Sequence, residues 1–189
     1  MKYTAAIEDS NRDRAFKLLG RMEEEYESKN PAFFNKVLKE QSALVLRVHA
    51  VTVLSEIGDE SSVPVLADVM KKDPSSLIRH ECAFSLGQMG LKSAVPYLID
   101  AALNDPSEIV RHESAAALGA IGDESSRAAL VKASKDTSEE VQGSALASLF
   151  NLDFLMYASK IKRDAEKLAV EIEKSKKAKA SEKRKMPHP

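Results

Sequence analysis

Through the middle of the chain, apolar positions fall at intervals of three and four, and the pattern then starts again. Within one unit, Val110, Ser114, Leu118 and Ile121 share one face of a helix. The segment Ile78–Leu98 aligns without gaps onto Val110–Leu130, a step of 32 residues. A step back of 32 reaches Leu46–Leu66, and a step forward of 31 reaches Val141–Phe150. The punctuation recurs with the pattern. Asp105-Pro106-Ser107-Glu108 reads as a helix start, with Asp as cap, Pro at the first helical position and Glu at the third. Asp73-Pro74-Ser75 repeats it one unit earlier, and Gly90 and Gly122 close the helices that follow. A second helix is expected from about Ser93 or Ser125, with Pro96 in its first turn. Two helices per unit define an all-α solenoid, a superhelix of helix pairs.

Outside the repeats, Ser10–Lys29 reads as one amphipathic helix, and Asn30-Pro31 restarts a second. After Phe150 a charged helix is expected to about Lys177, followed by a disordered SEKRKMPHP end. The expected division of the 189 residues is therefore capping helices over 1–42, repeats over 43–151, and a charged helix with a basic disordered tail over 152–189.

Composition narrows the setting. No run approaches the ~20 apolar residues of a membrane helix, and Met1-Lys2-Tyr3-Thr4 has no apolar leader, so a cytoplasmic, membrane-free protein is expected. A lone Cys82 rules out an internal disulfide framework. The net charge of −1 conceals an asymmetry: Ser159–Pro189 holds 11 Lys/Arg against 5 Asp/Glu (+6), which leaves 17 against 24 (−7) elsewhere. The basic end could touch nucleic acid, anionic lipid or an acidic partner, but without interleaved aromatics it is a poor platform for stacked bases. There is no glycine-rich phosphate loop, no Ser/His/Asp nucleophile context and no CxxC zinc spacing.

The chemistry sits in the repeats. Arg79-His80-Glu81 and Arg111-His112-Glu113 place a His-Glu pair at the same point of consecutive units. One His-Glu dipeptide is weak evidence, because neighbours on a helix point about 100° apart. Recurrence in register is stronger: stacked helices lie about 8–10 Å apart, so two imidazoles and their glutamates reach one ion between them. Duplication alone would copy the pair everywhere, yet the first unit has Val48-His49 and the fourth Gly143-Ser144 at these positions. Imidazole with carboxylate suits iron, manganese or zinc, and two His with one carboxylate suits Fe(II) oxygen chemistry.

The recurring Ala115-x-x-Leu-Gly-x-x-Gly122 resembles the short HEAT-like repeat associated with phycobilisome lyases. The Asp73–Arg79 and Asp105–Arg111 spacing is similar to the Asp–Arg ladder that links neighbouring HEAT turns. That ladder stops at Gln142. RHECAFSLGQMG followed by RHESAAALGAIGD resembles deoxyhypusine hydroxylase, a HEAT-repeat di-iron monooxygenase, over about Val45–Phe150. The resemblance implies two halves of four repeats, with two His-Glu pairs in each half and two irons held between the halves. It makes His80, Glu81, His112 and Glu113 the candidate iron ligands, with Fe(II) as the cofactor of a di-iron centre. This chain has one half and two pairs, so the expected active species is a homodimer with the site between subunits.

Three functions follow as alternatives. The first is an O₂-dependent hydroxylase acting on a side chain of a protein substrate. The second is a non-catalytic scaffold that grips a partner protein on its concave face. The third is a lyase-type chaperone for a tetrapyrrole, carried only by the repeat subclass. Beside these, Cys82 reads as a small core residue and His49 as a surface histidine. Met70, Phe84, Met89 and Tyr97 read as core or site lining, and His188 as a tail residue able to pick up metal adventitiously.

Overall fold

The computed structural model describes residues 9–41 and 43–185, and all regular structure among them is helical. The helices are α1 (Asp9–Glu27), α2 (Pro31–Glu40), α3 (Leu44–Ile57), α4 (Val63–Lys72), α5 (Ser76–Met89), α6 (Val95–Asn104), α7 (Glu108–Ile121), α8 (Arg127–Ala133) and α9 (Glu139–Lys185). Short 3₁₀ turns, Lys92–Ala94 and Glu124–Ser126, lead into α6 and α8. No helix among the described residues is long and apolar enough to cross a membrane.

Two layers result. Helices α3, α5, α7 and α9 lie side by side in one layer, and α2, α4, α6 and α8 form the other, each packed on the odd-numbered helix that follows it. The repeating apolar positions meet between the layers: Leu54, Leu66, Ile78, Leu86, Leu98, Leu118 and Leu130 are fully buried. The solenoid read from the repeat is the fold observed.

Spacing within the first layer depends on two glycines. A Cβ added to Gly87 would lie 2.7 Å from Ala117 Cβ and 3.0 Å from its Cα, and one on Gly119 would lie 2.2 Å from Ser148 Oγ. Side chains at these points would hold α5 from α7 and α7 from α9. The other pair, Gly90 and Gly122, ends α5 and α7 in the left-handed conformation (φ 67° and 69°), as expected for C-terminal caps.

Three local expectations change. Helices α5 and α7 begin at Ser76 and Glu108, later than read, because Asp73 and Asp105 cap turns and not helices. Their carboxylates accept the backbone N–H groups of Ser75 (2.9 Å) and Ser107 (2.8 Å). The same carboxylates serve the ladder, which runs forward by one repeat: Arg79 donates to both oxygens of Asp105 (2.8 and 2.9 Å), and Arg111 to both of Asp136 (2.8 and 2.9 Å). Arg47 already reaches Asp73, so the ladder starts a unit earlier than read. Each guanidinium also donates back to its own turn, Arg79 to the Asp73 carbonyl (2.8 Å) and Arg111 to the Asp105 carbonyl (3.0 Å). At the end of the array Gln142 keeps only this backbone bond, 2.7 Å to the Asp136 carbonyl. Lastly, the fourth unit's first helix and the charged helix are one element. From Ser144 to Lys185 there is neither Gly nor Pro to interrupt it, so α9 continues past Lys177. Met186–Pro189, with His188, lie outside the described residues.

Two measurements test these devices. Gly87→Ala gains up to about 1 kcal/mol of helix propensity but must push Ala117 away, and overpacking costs roughly 1–3 kcal/mol. The net expectation is a loss of about 1–2 kcal/mol in denaturant unfolding. Arg111 holds the Asp136 carboxyl below the usual carboxylate range. A folded pKa below the unfolded one stabilises above the unfolded value of about 4 and ceases to do so as pH falls through the folded value. Asp136→Asn is therefore expected to lower stability at neutral pH and to flatten its decline below about pH 4.

Candidate metal centre

The ladder positions the candidate ligands. Arg79 and Arg111 are the residues immediately before the two His-Glu pairs, and each is fixed at both ends of its guanidinium by the bonds above. The first turns of α5 and α7 therefore cannot rotate, and His80, Glu81, His112 and Glu113 emerge at matched points. The positive charge is spent in the same act. The Asp105 carboxylate raises the pKa of Arg79, and that of Asp136 raises Arg111's.

Across the α5–α7 seam, His80 Nε2 lies 3.3 Å from Glu113 Oε2, while its Nδ1 lies 3.5 Å from Glu81 Oε1. That Nδ1 is buried and makes no hydrogen bond, which is unfavourable for an imidazole nitrogen unless something else uses it. The three side chains are 22%, 24% and 16% exposed for His80, Glu81 and Glu113, recessed but reachable from solvent.

His112 is held differently. Its Nδ1 lies 2.8 Å from Ser144 Oγ and 3.2 Å from the Glu140 carbonyl, both on α9. A carbonyl only accepts, so the tautomer that uses both contacts carries its proton on Nδ1. In the neutral ring the lone pair is then on Nε2, the arrangement found in metal-binding histidines whose other nitrogen is tied to the backbone. Ser144 was not singled out from the sequence, although it stands where Glu113 stands one repeat earlier. The Glu140 carbonyl left no sequence signal, because any residue supplies one.

The structure thus joins His80 to Glu81 and Glu113 and turns His112 toward α9. Among the described residues, no group of three or more His, Cys, Asp or Glu converges as a metal cage. The donor chemistry and the unbonded Nδ1 fit a divalent transition metal.

The remaining candidates separate. Cys82 is fully buried, and burial pushes its thiol pKa up. Met70 is core and Met89 packs against it. Phe84 is 41% exposed one turn beyond Glu81, so it borders the site. Tyr97 is neither core nor site lining, because it lies on α6 in the opposite layer, at a groove of about 600 Å³ between α4 and α6. His49 is exposed and lines a cavity of about 400 Å³ with Tyr26 and Glu56.

Residues 68–150 match the family model for HEAT repeats. The chain is a HEAT-repeat solenoid. Its array is deoxyhypusine hydroxylase-like: the structure of human deoxyhypusine hydroxylase in complex with glycerol superposes with a TM-score of 0.64 at 31% identity. That match covers 75% of this chain and 48% of the hydroxylase, so the chain spans about half its length. The complex of CpcE and CpcF of phycocyanin lyase from Nostoc matches with a TM-score of 0.56 over 78% of this chain and 61% of that one. At 22% identity this likeness is one of fold alone. Curated proteins yield no match.

Cys82 supplies a direct check of packing. Its thiol is expected to resist alkylation in the native chain and to react at once in denaturant. Fast native labelling would mean that the α3–α5 seam is open.

Proposed function

We propose that the chain is one half of a non-haem di-iron, O₂-dependent hydroxylase whose site is completed by a second copy. The observation that supports it most is the pair of histidines on neighbouring seams, His80 between α5 and α7 and His112 between α7 and α9. His80 has an unbonded buried Nδ1 beside Glu81 and its Nε2 beside Glu113, and His112 has its Nδ1 tied to α9. The likeness to a hydroxylase about twice as long supports the need for two copies.

Bound iron would supply O₂ activation. The protein's own tasks are more specific. His80 and His112 would serve as neutral nitrogen ligands, and Glu81 and Glu113 would add carboxylate charge. Ser144 and the Glu140 carbonyl would keep His112 from rotating. Arg79 and Arg111, turned into the ladder, leave those glutamates uncompensated and so favour a cation between them. Two copies related by a two-fold axis would bring four His-Glu pairs together across an isologous contact. The substrate would be a side chain presented by a protein, in a cytoplasmic setting. The competing reading, a protein-binding scaffold, draws on the lack, among the described residues, of three donors converging as a metal cage and on the groove beside Tyr97.

Replacing His80 and His112 together by Ala separates the two. Under the metal reading, purified protein carries about one iron per chain, and the double variant loses it while helicity by circular dichroism is kept. A parent chain that takes up no Fe(II) would leave the scaffold. Ser144→Ala alone is expected to weaken metal affinity on the order of tenfold, read by titration with Fe(II) under argon.

A further inference from the structure

Helix α9 makes its last contacts with the body at Asp153, paired with Arg127 at 2.8 Å, and Leu155, beside Gly122, and then projects from it. From Asp153 to Lys177 every residue is exposed, yet this stretch is not polar all round. Phe154 (58% exposed), Tyr157 (63%), Ile161 (52%), Leu168 (57%) and Ile172 (48%) continue a line begun by Phe150 (74%). With Ala165 the steps along this line are 4, 3, 4 and again 4, 3, 4. The recurrence at 150, 161 and 172 is eleven residues, three turns of a nearly straight helix. The stripe therefore stays on one face throughout. That face is opposite Ala145, Ser148 and Leu152, which bury α9 against the body.

We infer that this stripe pairs with its own copy, antiparallel, with Ile161 at the two-fold axis. The steps are symmetric about Ile161, so reversal superposes the stripe on itself. Ile161 meets Ile161, Tyr157 meets the small Ala165, Phe154 meets Leu168, and Phe150 meets Ile172 of the second copy. At about 200 Å² for a large side chain, the stated exposures leave about 700 Å² of apolar surface per copy. Stems of the flanking lysines add to it, approaching the ~800 Å² per partner of a stable pair.

Charge selects the direction. Lys160 and Asp164 lie on the same flank of the stripe, and antiparallel pairing places each within a turn of its opposite in the other copy. The same register points the Lys174, Lys176 and Lys177 end of each helix toward the body of the other copy, and the net charge is +6 over Ser159–Pro189 against −7 elsewhere. A parallel pair would set the two basic ends together. Asp164, Glu166, Glu171 and Glu173 around the remaining faces are also ill suited to an anionic lipid surface. This contact uses none of the four candidate ligands and needs no metal. It is a second interface, separate from the one proposed across the His-Glu faces.

The test uses the full chain, stripped of metal with a chelator. At about 100 µM it is expected to sediment at twice its 20.7 kDa mass, and Ile161→Lys, a change on a solvent-facing position, to sediment at the single mass. Phe154→Cys and Leu168→Cys are expected to form a covalent dimer under mild oxidation when mixed, and not when each is alone; buried Cys82 stays out of the reaction. Cross-linking of each variant alone would mean a parallel pair and overturn the inference. So would a metal-free monomer, whether or not it binds phosphatidylserine vesicles. The two proposals fail separately. Ile161→Lys is expected to retain its iron, and the His80→Ala, His112→Ala double variant to retain the pairing.

Discussion

The close approach of helices at Gly87 and Gly119 governs most of what this molecule can do. Helices that present ordinary side chains to each other stand about 8–10 Å apart. Here a missing Cβ lets α5 settle on the backbone at Ala117 and α7 on Ser148. Only at that spacing does His80 reach Glu113 across the seam at 3.3 Å, and His112 reach Ser144 at 2.8 Å. A wider seam would leave the same residues as solvated charges on neighbouring ridges. The chemistry of the face is a consequence of a packing constraint two turns away.

Close approach sets the distance between helices but not their sliding along the axis. That second coordinate belongs to the Arg–Asp ladder, in which one guanidinium binds a carboxylate of the next repeat and a carbonyl of its own. Because these groups are largely buried, the pairs are geometric restraints more than sources of net stability. They also dispose of two cations beside the glutamates. Register and electrostatics are solved by the same side chains, and the candidate ligands follow them directly in sequence.

The layer ends asymmetrically. At Gln142 the ladder keeps its backbone bond and loses its charge, and Gly143-Ser144 stand where a third His-Glu pair would, with the Glu140 carbonyl about one turn before them. Helix α9 therefore closes the face that α5 and α7 build, then runs on beyond the body. A molecule with one recessed polar face and one projecting apolar stripe has two distinct surfaces that ask for partners.

Much of this was legible in the residues. Periodicity, the Gly90 and Gly122 stops and the recurrence of Arg-His-Glu specify helix pairs and mark two repeats out from their neighbours, because these are local properties of a helix face and its ends. Helix starts were misplaced by two residues, because Asp73 and Asp105 have a second task, the ladder, which lies 26 residues away. Tyr97 was misread because an aromatic on an amphipathic helix does not disclose which layer that helix joins. Ser144 and the Glu140 carbonyl were silent, since what they do depends on the helix packed beside them. The sequence by itself determined the helices, their repeat and the four residues with ligand chemistry. Tertiary packing decided which nitrogen of each histidine is free and which glutamate each one meets, because only distances between helices carry that information.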